Sequence, residues 1–484
     1  MTVRKDGSPA GRSRGYFDIL GGIRMAWEDP MGSVCRFAAA LAVGVLLVTE
    51  PSQTLGAEDG FWEEVYEKNR VVQIDLSFSR DAWQRMQPRR ETRRSGERAP
   101  LVGFGDKFSY VKADVRIDGH TYASSGVRFK GNSSFRFSER GLKRPFKIDT
   151  NRFVSGQKLH GRTKINLSNA FLDSAYMKEK LGYEVYRAAG LVTPGVGWAH
   201  VTLSIDGDIE VEKSDLGIYV LIEQVDKKFL ERNLGKVAAG SLLMKPEALD
   251  DWEYLGSDTR EYQHYNIKSG KHNRSQIAAF AALLKIIEAA SADRFESEIG
   301  QRLDLQQFAG YLAATWILVN IDSYVGMPHN YYLLMDKTDG KLRMLPWDLN
   351  ETFGTFTMGY DPEQVVQWGI ERPWIGRRRL MERLFELRSF RRAFQGEVVA
   401  LMESVFTRER MFARISEMER TLRPYMAGRQ QSAFRMGIYG DRDGINVAVD
   451  RRVYAIRPFV ERRIDSVRDQ LTGARLGTRL SPRR

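Results

Sequence analysis

Cysteine is almost missing from this chain: Cys35 stands alone among 484 residues. No intramolecular disulfide can form, and no thiolate metal cluster can be assembled. Histidine is scarce too, with six in all at positions 120, 160, 200, 264, 272 and 329, and they show no metal-ligand spacing. The strings G-x-x-x-x-G-K, G-x-S-x-G and H-E-x-x-H are absent, which removes a Walker phosphate loop, a serine-hydrolase elbow and a zincin helix. Zinc-finger spacing and aromatic RNA-binding strings are absent as well, so no specific nucleic-acid partner is expected. Only one strongly apolar run occurs, the twelve residues 37–48. That is short of the roughly 17 to 25 residues a membrane span requires.

With 42% hydrophobic and 28% charged residues, the chain can bury a large core as one bilobal unit or two domains. The net charge of +12 favours anionic partners such as nucleotide phosphates or an envelope surface. Arginine is scattered through the C-terminal half, which predicts a generally basic surface and not a dedicated groove. The run 37–48, preceded by Arg24 and Arg36 and followed by T-E-P-S-Q-T-L-G-A, reads as the core of a secretory signal or an uncleaved anchor. Met25 and Met31 are alternative starts. The expected location is exported: periplasmic, extracellular or envelope-associated, with membrane contact only through that segment.

Residues 58–226 are rich in strand signals. V-V-Q-I-D-L-S-F alternates, and a charged loop, Q-P-R-R-E-T-R-R-S-G-E-R, follows it. Y-V-K-A-D-V-R-I and T-Y-A-S-S-G-V-R-F-K flank Asp118-Gly119, a strong local hairpin signal. The second strand runs into Gly131-Asn132-Ser133-Ser134, a small hydroxyl-rich loop able to lie over phosphates with backbone N–H groups. Residues 173–190 read as one helix, with Asp173 or Ser174 as N-cap and Gly190 as stop. Its apolar stripe, Met177, Leu181, Val185 and Ala188, includes Glu184, while Glu179 points away. A carboxylate on a buried face needs a cation; the alternative is that Glu184 sits at the stripe's edge and reaches water. Residues 236–273 read as irregular.

From Ser275 the pattern turns helical. A long apolar helix with Asp304 as N-cap runs out at N-I-D, presenting Asp322 in a loop. Asn330, the strand Tyr331–Met335, a turn at Asp339-Gly340, a strand over 342–345 and then Pro346-Trp347-Asp348 follow. Helix, loop with Asp and Asn, hairpin and second Asp is the order of catalytic parts in a protein kinase. Phosphoryl transfer needs one carboxylate to receive a proton, and a carboxylate with an amide oxygen to hold magnesium. Taken singly, Asp322, Asn330 and Asp348 are also ordinary turn residues, and His329 reads as a loop residue.

N-I-D with N-Y-Y-L-L, L-P-W-D-L-N-E-T-F-G, V-R-F-K-G-N-S-S, K-R-P-F-K-I and G-I-Y-V-L-I-E-Q-V-D together resemble the CotH (spore coat protein H) kinase family over roughly residues 70–360. The resemblance implies an α+β, bilobal, protein-kinase-like fold with a strand-rich N-terminal lobe, a helix-rich C-terminal lobe and extra C-terminal helices. It implies an exported protein kinase that uses ATP with Mg2+ or Mn2+ and a protein acceptor. Asp322 would be the catalytic carboxylate, and Asn330 and Asp348 the metal ligands. Lys147 would meet the phosphates, with Lys143 and Arg144 as rivals, and would pair with Glu184. Gly131, Asn132, Ser133 and Ser134 would cover the phosphates, and Glu223 and Gln224 would lie at the adenine. The expected division is 1–57 leader, 58–226 nucleotide lobe, 227–360 catalytic lobe, 361–471 Arg-rich helical extension and 472–484 disordered tail. Two departures stand out: Asp322 and Asn330 are eight apart, longer than the kinase D-x-x-x-x-N spacing. Asn350 also stands where the family often has a second Asp. A non-catalytic exported scaffold, and nucleotidyl transfer at the same site, remain alternatives.

Overall fold

In a computed structural model the described residues are 18–19, 23–24, 57–88, 108–208, 211–246, 251–448 and 451–482. A short hairpin, β1 (Asp18–Ile19) with β2 (Ile23–Arg24), comes first. Cys35, the apolar run 37–48 and the charged-loop residues 89–98 lie outside the described residues.

α1 (Ala57–Tyr66) leads into β3 (Val71–Phe78), and α2 (Arg80–Met86) follows it. Then come β4 (Val111–Ile117), β5 (His120–Phe129), the single turn α3 (Ser133–Arg136), β6 (Phe146–Asp149) and β7 (Lys164–Ser168). After α4 (Lys178–Ala188) come β8 (Val196–Ile205) and β9 (Ser214–Glu223). The order β3-β4-β5-β6-β7-β9-β8 closes into a barrel through parallel pairing of β3 with β8. The β4–β5 turn has Asp118 at φ 45° and Gly119 at φ 87°, the left-handed pair that matches strand twist.

The barrel interior is filled by Ile74, Leu76, Val115, Phe129, Phe146, Leu167, Leu203 and Leu221. β9 has no polar face because it serves two cores. Tyr219 and Leu221 point into the barrel, while Ile218, Val220 and Ile222 face a second cluster built with the C-terminal helices. That explains its unbroken apolar run.

Beyond β9, Asp226 caps α5 (Lys227–Ala238). β10 (Leu242–Met244) and β11 (Ile267–Ser269) join β12 (Tyr331–Met335) and β13 (Leu342–Pro346) in a sheet ordered β11-β10-β12-β13. Residues 236–273 are thus more regular than expected, since β10 pairs with β12 of the distant hairpin and carries β11 on its other edge. α6 (Arg274–Ala289), α7 (Ala292–Arg302) and α8 (Leu305–Ile317) build the second core. α9 (Pro362–Val366), α10 (Arg379–Glu386), α11 (Arg388–Glu403), α12 (Arg408–Leu422) and α13 (Gly428–Tyr439) follow. The hairpin β14 (Ile445–Ala448) with β15 (Arg451–Tyr454) and then α14 (Ile456–Leu471) complete it.

The tail, expected to be disordered, is docked. Thr478 bridges Trp368, Leu480 is buried, and the Ser481 N–H donates to the Tyr360 hydroxyl at 2.8 Å. Among the described residues no helix is long and apolar enough to cross a membrane.

Candidate active site at the mouth of the β12–β13 hairpin

α8 is buried along nearly its whole length, with Asp304 accepting the Gln307 N–H at its N-terminus. Its last carbonyls would be orphaned by the turn that follows. Arg463 of α14 supplies the donors, reaching Trp316 O at 2.7 Å and Ile317 O at 3.3 Å, with its guanidinium 4.1 Å from the Trp316 ring centre. The chain leaves this anchored helix end and delivers Asp322.

Asn330 fixes that carboxylate: its amide nitrogen donates 2.8 Å to Asp322 Oδ2 and 3.0 Å to the Asp322 carbonyl. His329 Nε2 stands 3.4 Å from Oδ1. Burial, then the nearby Asp348, pushes the Asp322 carboxyl up to about 7, against the pull of Arg451 and Asn330.

Register places the second carboxylate. Tyr331 pairs with Pro346, and the Trp347 N–H donates to Asn330 O at 3.2 Å, so Asn330 and Asp348 emerge side by side at the hairpin mouth. Both adopt left-handed backbone, φ 61° and 59°, a conformation Asn and Asp tolerate better than most residues. The Asp348 N–H donates to the Tyr183 hydroxyl of α4 at 3.1 Å. α4 can approach this closely because Gly182 has no side chain: a Cβ there would meet Leu349 Cδ1 at 3.1 Å.

α4 also corrects three expectations. It starts at Lys178, not Asp173, because 173–177 form turns with Tyr176 at φ 58°; the Asp173 side chain accepts the Lys178 N–H at 2.8 Å. The helix packs on both β8 and α8, and Leu181, Tyr183, Val185 and Tyr186 are all buried in the second core, so the single-stripe reading fails. Glu179, expected to point away, is wholly buried. Burial and then Asp348 raise its pKa to about 8, opposed by Lys130. Glu184 does not meet Lys147. It takes a forked contact from Arg414 of α12, at 2.6 and 3.0 Å, with Lys180 at 3.8 Å.

Lys130, just past β5, is the cation that does face these acids. Burial lowers its pKa, while Asp348 and then Glu179 raise it. Its Nζ lies 6.0 Å from the Trp347 ring centre, and Lys245 Nζ lies 5.9 Å from the same ring. Lys147 instead donates to Gln224 Oε1 at 2.5 Å, and burial followed by Arg128 lowers its pKa to about 7. Lys143 donates to the Tyr176 hydroxyl at 3.0 Å, and Arg144 to Gln87 Oε1 at 2.5 Å. Lys130 lies inside the string V-R-F-K-G-N-S-S, one residue before the glycine.

The phosphate-loop residues form the entry to α3 and not a free loop. Gly131 has φ 80°, and a Cβ there would fall 2.2 Å from Ser134 Oγ. Asn132 Oδ1 is buried without a partner among the described residues, and Ser133 O accepts the Phe137 N–H. The Glu223 side chain is committed to Arg162 at 2.6 Å, Arg232 at 2.5 Å and the Gly195 N–H at 3.0 Å. Gln224 is committed to Lys147 and, through Nε2, to Val225 O at 2.7 Å.

A further carboxylate enters that the sequence pattern did not single out. Glu351 is pushed up to about 7 by burial, then Asp322, and is paired with Arg451 at 3.1 Å. Asn350, in the position of interest to the motif, turns its amide to Phe171 O at 3.0 Å.

Among the described residues no three His, Cys, Asp or Glu side chains make a metal-holding group by themselves. Magnesium does not need one, since it keeps waters and takes one or two carboxylates together with substrate phosphates. Asp348 and the Asn330 amide oxygen are hard donors, and burial, reinforced by neighbouring carboxylates, makes Asp322, Glu351 and Glu179 all hold their protons more tightly than usual. The donor set therefore fits a magnesium-bound polyphosphate.

A buried lysine facing a buried helix glutamate, with Asp, Asn and Asp gathered at a hairpin, is a kinase-like arrangement. The model for the family described as CotH kinase protein matches residues 127–467, and the chain belongs to that family. The match takes in the C-terminal helices, beyond the roughly 70–360 that the motifs span. The inner spore coat protein H of Bacillus subtilis (strain 168) is 23% identical over 279 residues, 57% of this chain and 72% of that protein.

Proposed function

We propose that this chain is an exported, magnesium-dependent ATP:protein phosphotransferase of the CotH type. The observation that carries the reading is the convergence of Lys130 and Glu179 on Asp348, beside Asp322 and Asn330. Asp322, oriented by Asn330, receives the proton of the acceptor hydroxyl. Asp348 and the Asn330 oxygen would hold magnesium, which would neutralise charge on the phosphates. Lys130, positioned by Glu179, pairs with phosphate oxygens. Catalysis on this reading rests on placement and charge, as phosphoryl transfer requires. Export is supported by the apolar run 37–48 and by the coat location in the relative's name.

The test incubates the protein with γ-labelled and, separately, α-labelled ATP and Mg2+ or Mn2+, beside Asp322→Ala and Asp348→Ala. Label from the γ position entering protein, and lost in both variants, is the expected result. Label from the α position would move the chemistry to nucleotidyl transfer. No transfer and no ATP-induced thermal shift would favour a scaffold.

A further inference from the structure

Glu351 sits three residues beyond Asp348 with its side chain only 12% exposed. Asn350 is turned away to Phe171 O, and Leu349 and Phe353 are buried, so the loop directs Glu351 back toward Asp322 and Asp348. A third carboxylate next to two others is unfavourable unless a cation answers it. The answering cation comes from 100 residues away: Arg451 Nη1 lies 3.1 Å from Glu351 Oε2, and its guanidinium packs 5.5 Å from the Phe356 ring centre. Lys178, the other cation facing this side of Glu351, is committed to Thr355 Oγ1 at 2.6 Å and Leu172 O at 3.2 Å.

Arg451 is placed by a built element. It opens β15, paired across to Ala448 of β14, and the strand is pinned by buried Val453 and Tyr454. The Tyr454 hydroxyl donates to Glu363 at 2.9 Å, tying the hairpin to α9. An exposed ion pair would be worth little. Here one partner is enclosed among like charges, so removing the arginine alone differs in kind from removing the pair.

We propose that Arg451, delivered by the C-terminal hairpin, is a positioning residue that holds Glu351 out of the cation site formed at Asp348 and Asn330. The inference rests on the proposed cation site at Asp348 and Asn330, and its kinetic arm rests on the phosphotransferase reading as well. With Arg451 in place, Glu351 is neutralised at the site's edge. Without it, Glu351 is free to turn on the cation, tightening cation binding while misplacing the phosphates.

The experiment uses the full chain as wild type, Arg451→Met, Arg451→Lys, Glu351→Gln and the Glu351→Gln/Arg451→Met double variant. Free Mn2+ is counted by electron paramagnetic resonance without nucleotide, and γ-phosphate transfer is measured in parallel. Arg451→Met is expected to bind Mn2+ about threefold or more tighter and to lose about tenfold in kcat, with Arg451→Lys between it and wild type. The double variant is expected to return both values to within about threefold of Glu351→Gln alone. Simple structural damage would weaken Mn2+ binding in Arg451→Met and leave the double variant no better; either result overturns the proposal, as does unchanged Mn2+ affinity or no measurable Mn2+ on any variant. A wild type that binds Mn2+ yet transfers no phosphate defeats the kinase reading, while the Mn2+ arm still judges Arg451.

Discussion

Asn330 holds Asp322 at two points, donating from one amide nitrogen to the Asp322 carboxylate at 2.8 Å and to its carbonyl at 3.0 Å. The nitrogen is spent on the carboxylate, which leaves the amide oxygen as the group a cation would use. An eight-residue separation therefore reaches the same pairing that a shorter catalytic loop would, because residues 323–329 fold back so that the Met327 N–H meets Ile321 O at 3.2 Å.

The two glutamates of α4 are expected to separate cleanly by mutation. Glu179→Ala removes the carboxyl group that faces Lys130 and should lower γ-phosphate transfer by about 100-fold. Glu184→Gln breaks the fork to Arg414, costing about 1 to 2 kcal/mol of stability in urea denaturation, with transfer little changed. Equal loss of activity in both would refute the assignment.

The lysines should behave in parallel fashion. Lys130→Met is expected to lower transfer by about 100-fold or more, since Lys130 faces Asp348 and Glu179. Lys147→Met loses only the contact to Gln224. Titration of ATP binding and turnover with both variants decides it; a Lys147 effect as large as that of Lys130 would restore the motif-based reading.

Stability should carry a pH signature of Glu179. Its folded pKa of about 8 lies above the ordinary 4.5, with Asp348 and Asp173 reinforcing the rise and Lys130 opposing it. The folded chain thus holds a proton that the unfolded chain releases; the benefit is complete below the unfolded value and is lost as pH climbs through the folded one. Glu179→Gln cannot ionise, so its thermal midpoint should gain on wild type steadily from about pH 5 to about pH 8.5. A constant difference across that range would show that Glu179 is not the titrating group. Taking the difference between variants removes the opposite trend of Lys147 and Lys180, whose pKa values are depressed.

Arg463 should matter for folding, not chemistry. It is fully buried, burial lowers its pKa to about 9, and its donors serve the carbonyls of Trp316, Ile317, Val366 and Trp368. Arg463→Met leaves several of these unsatisfied and is expected to cost about 2 to 4 kcal/mol by denaturant titration. A loss under about 1 kcal/mol would mean that water takes the arginine's place.

Local signals carried a good part of this molecule. Alternation marked β3 and β4, Asp118-Gly119 marked the turn between β4 and β5, and Asp304 marked the start of α8, because each depends on residues near one another in the chain. Asp322, Asn330 and Asp348 were legible for the same reason, lying on one helix end and one hairpin. Where the cations and the remaining carboxylates go was a tertiary matter. The barrel's pairing brings Lys130 and not Lys147 to face Asp348, and packing of α4 on β8 and α8 buries Glu179 while handing Glu184 to Arg414. Arg451 and the docked tail reach their places only after the C-terminal helices pack. Sequence by itself determined the acidic centre, through short-range turns and pairing; only the fold decided which charges answer it, since electrostatic partners are chosen by distance in space and by burial.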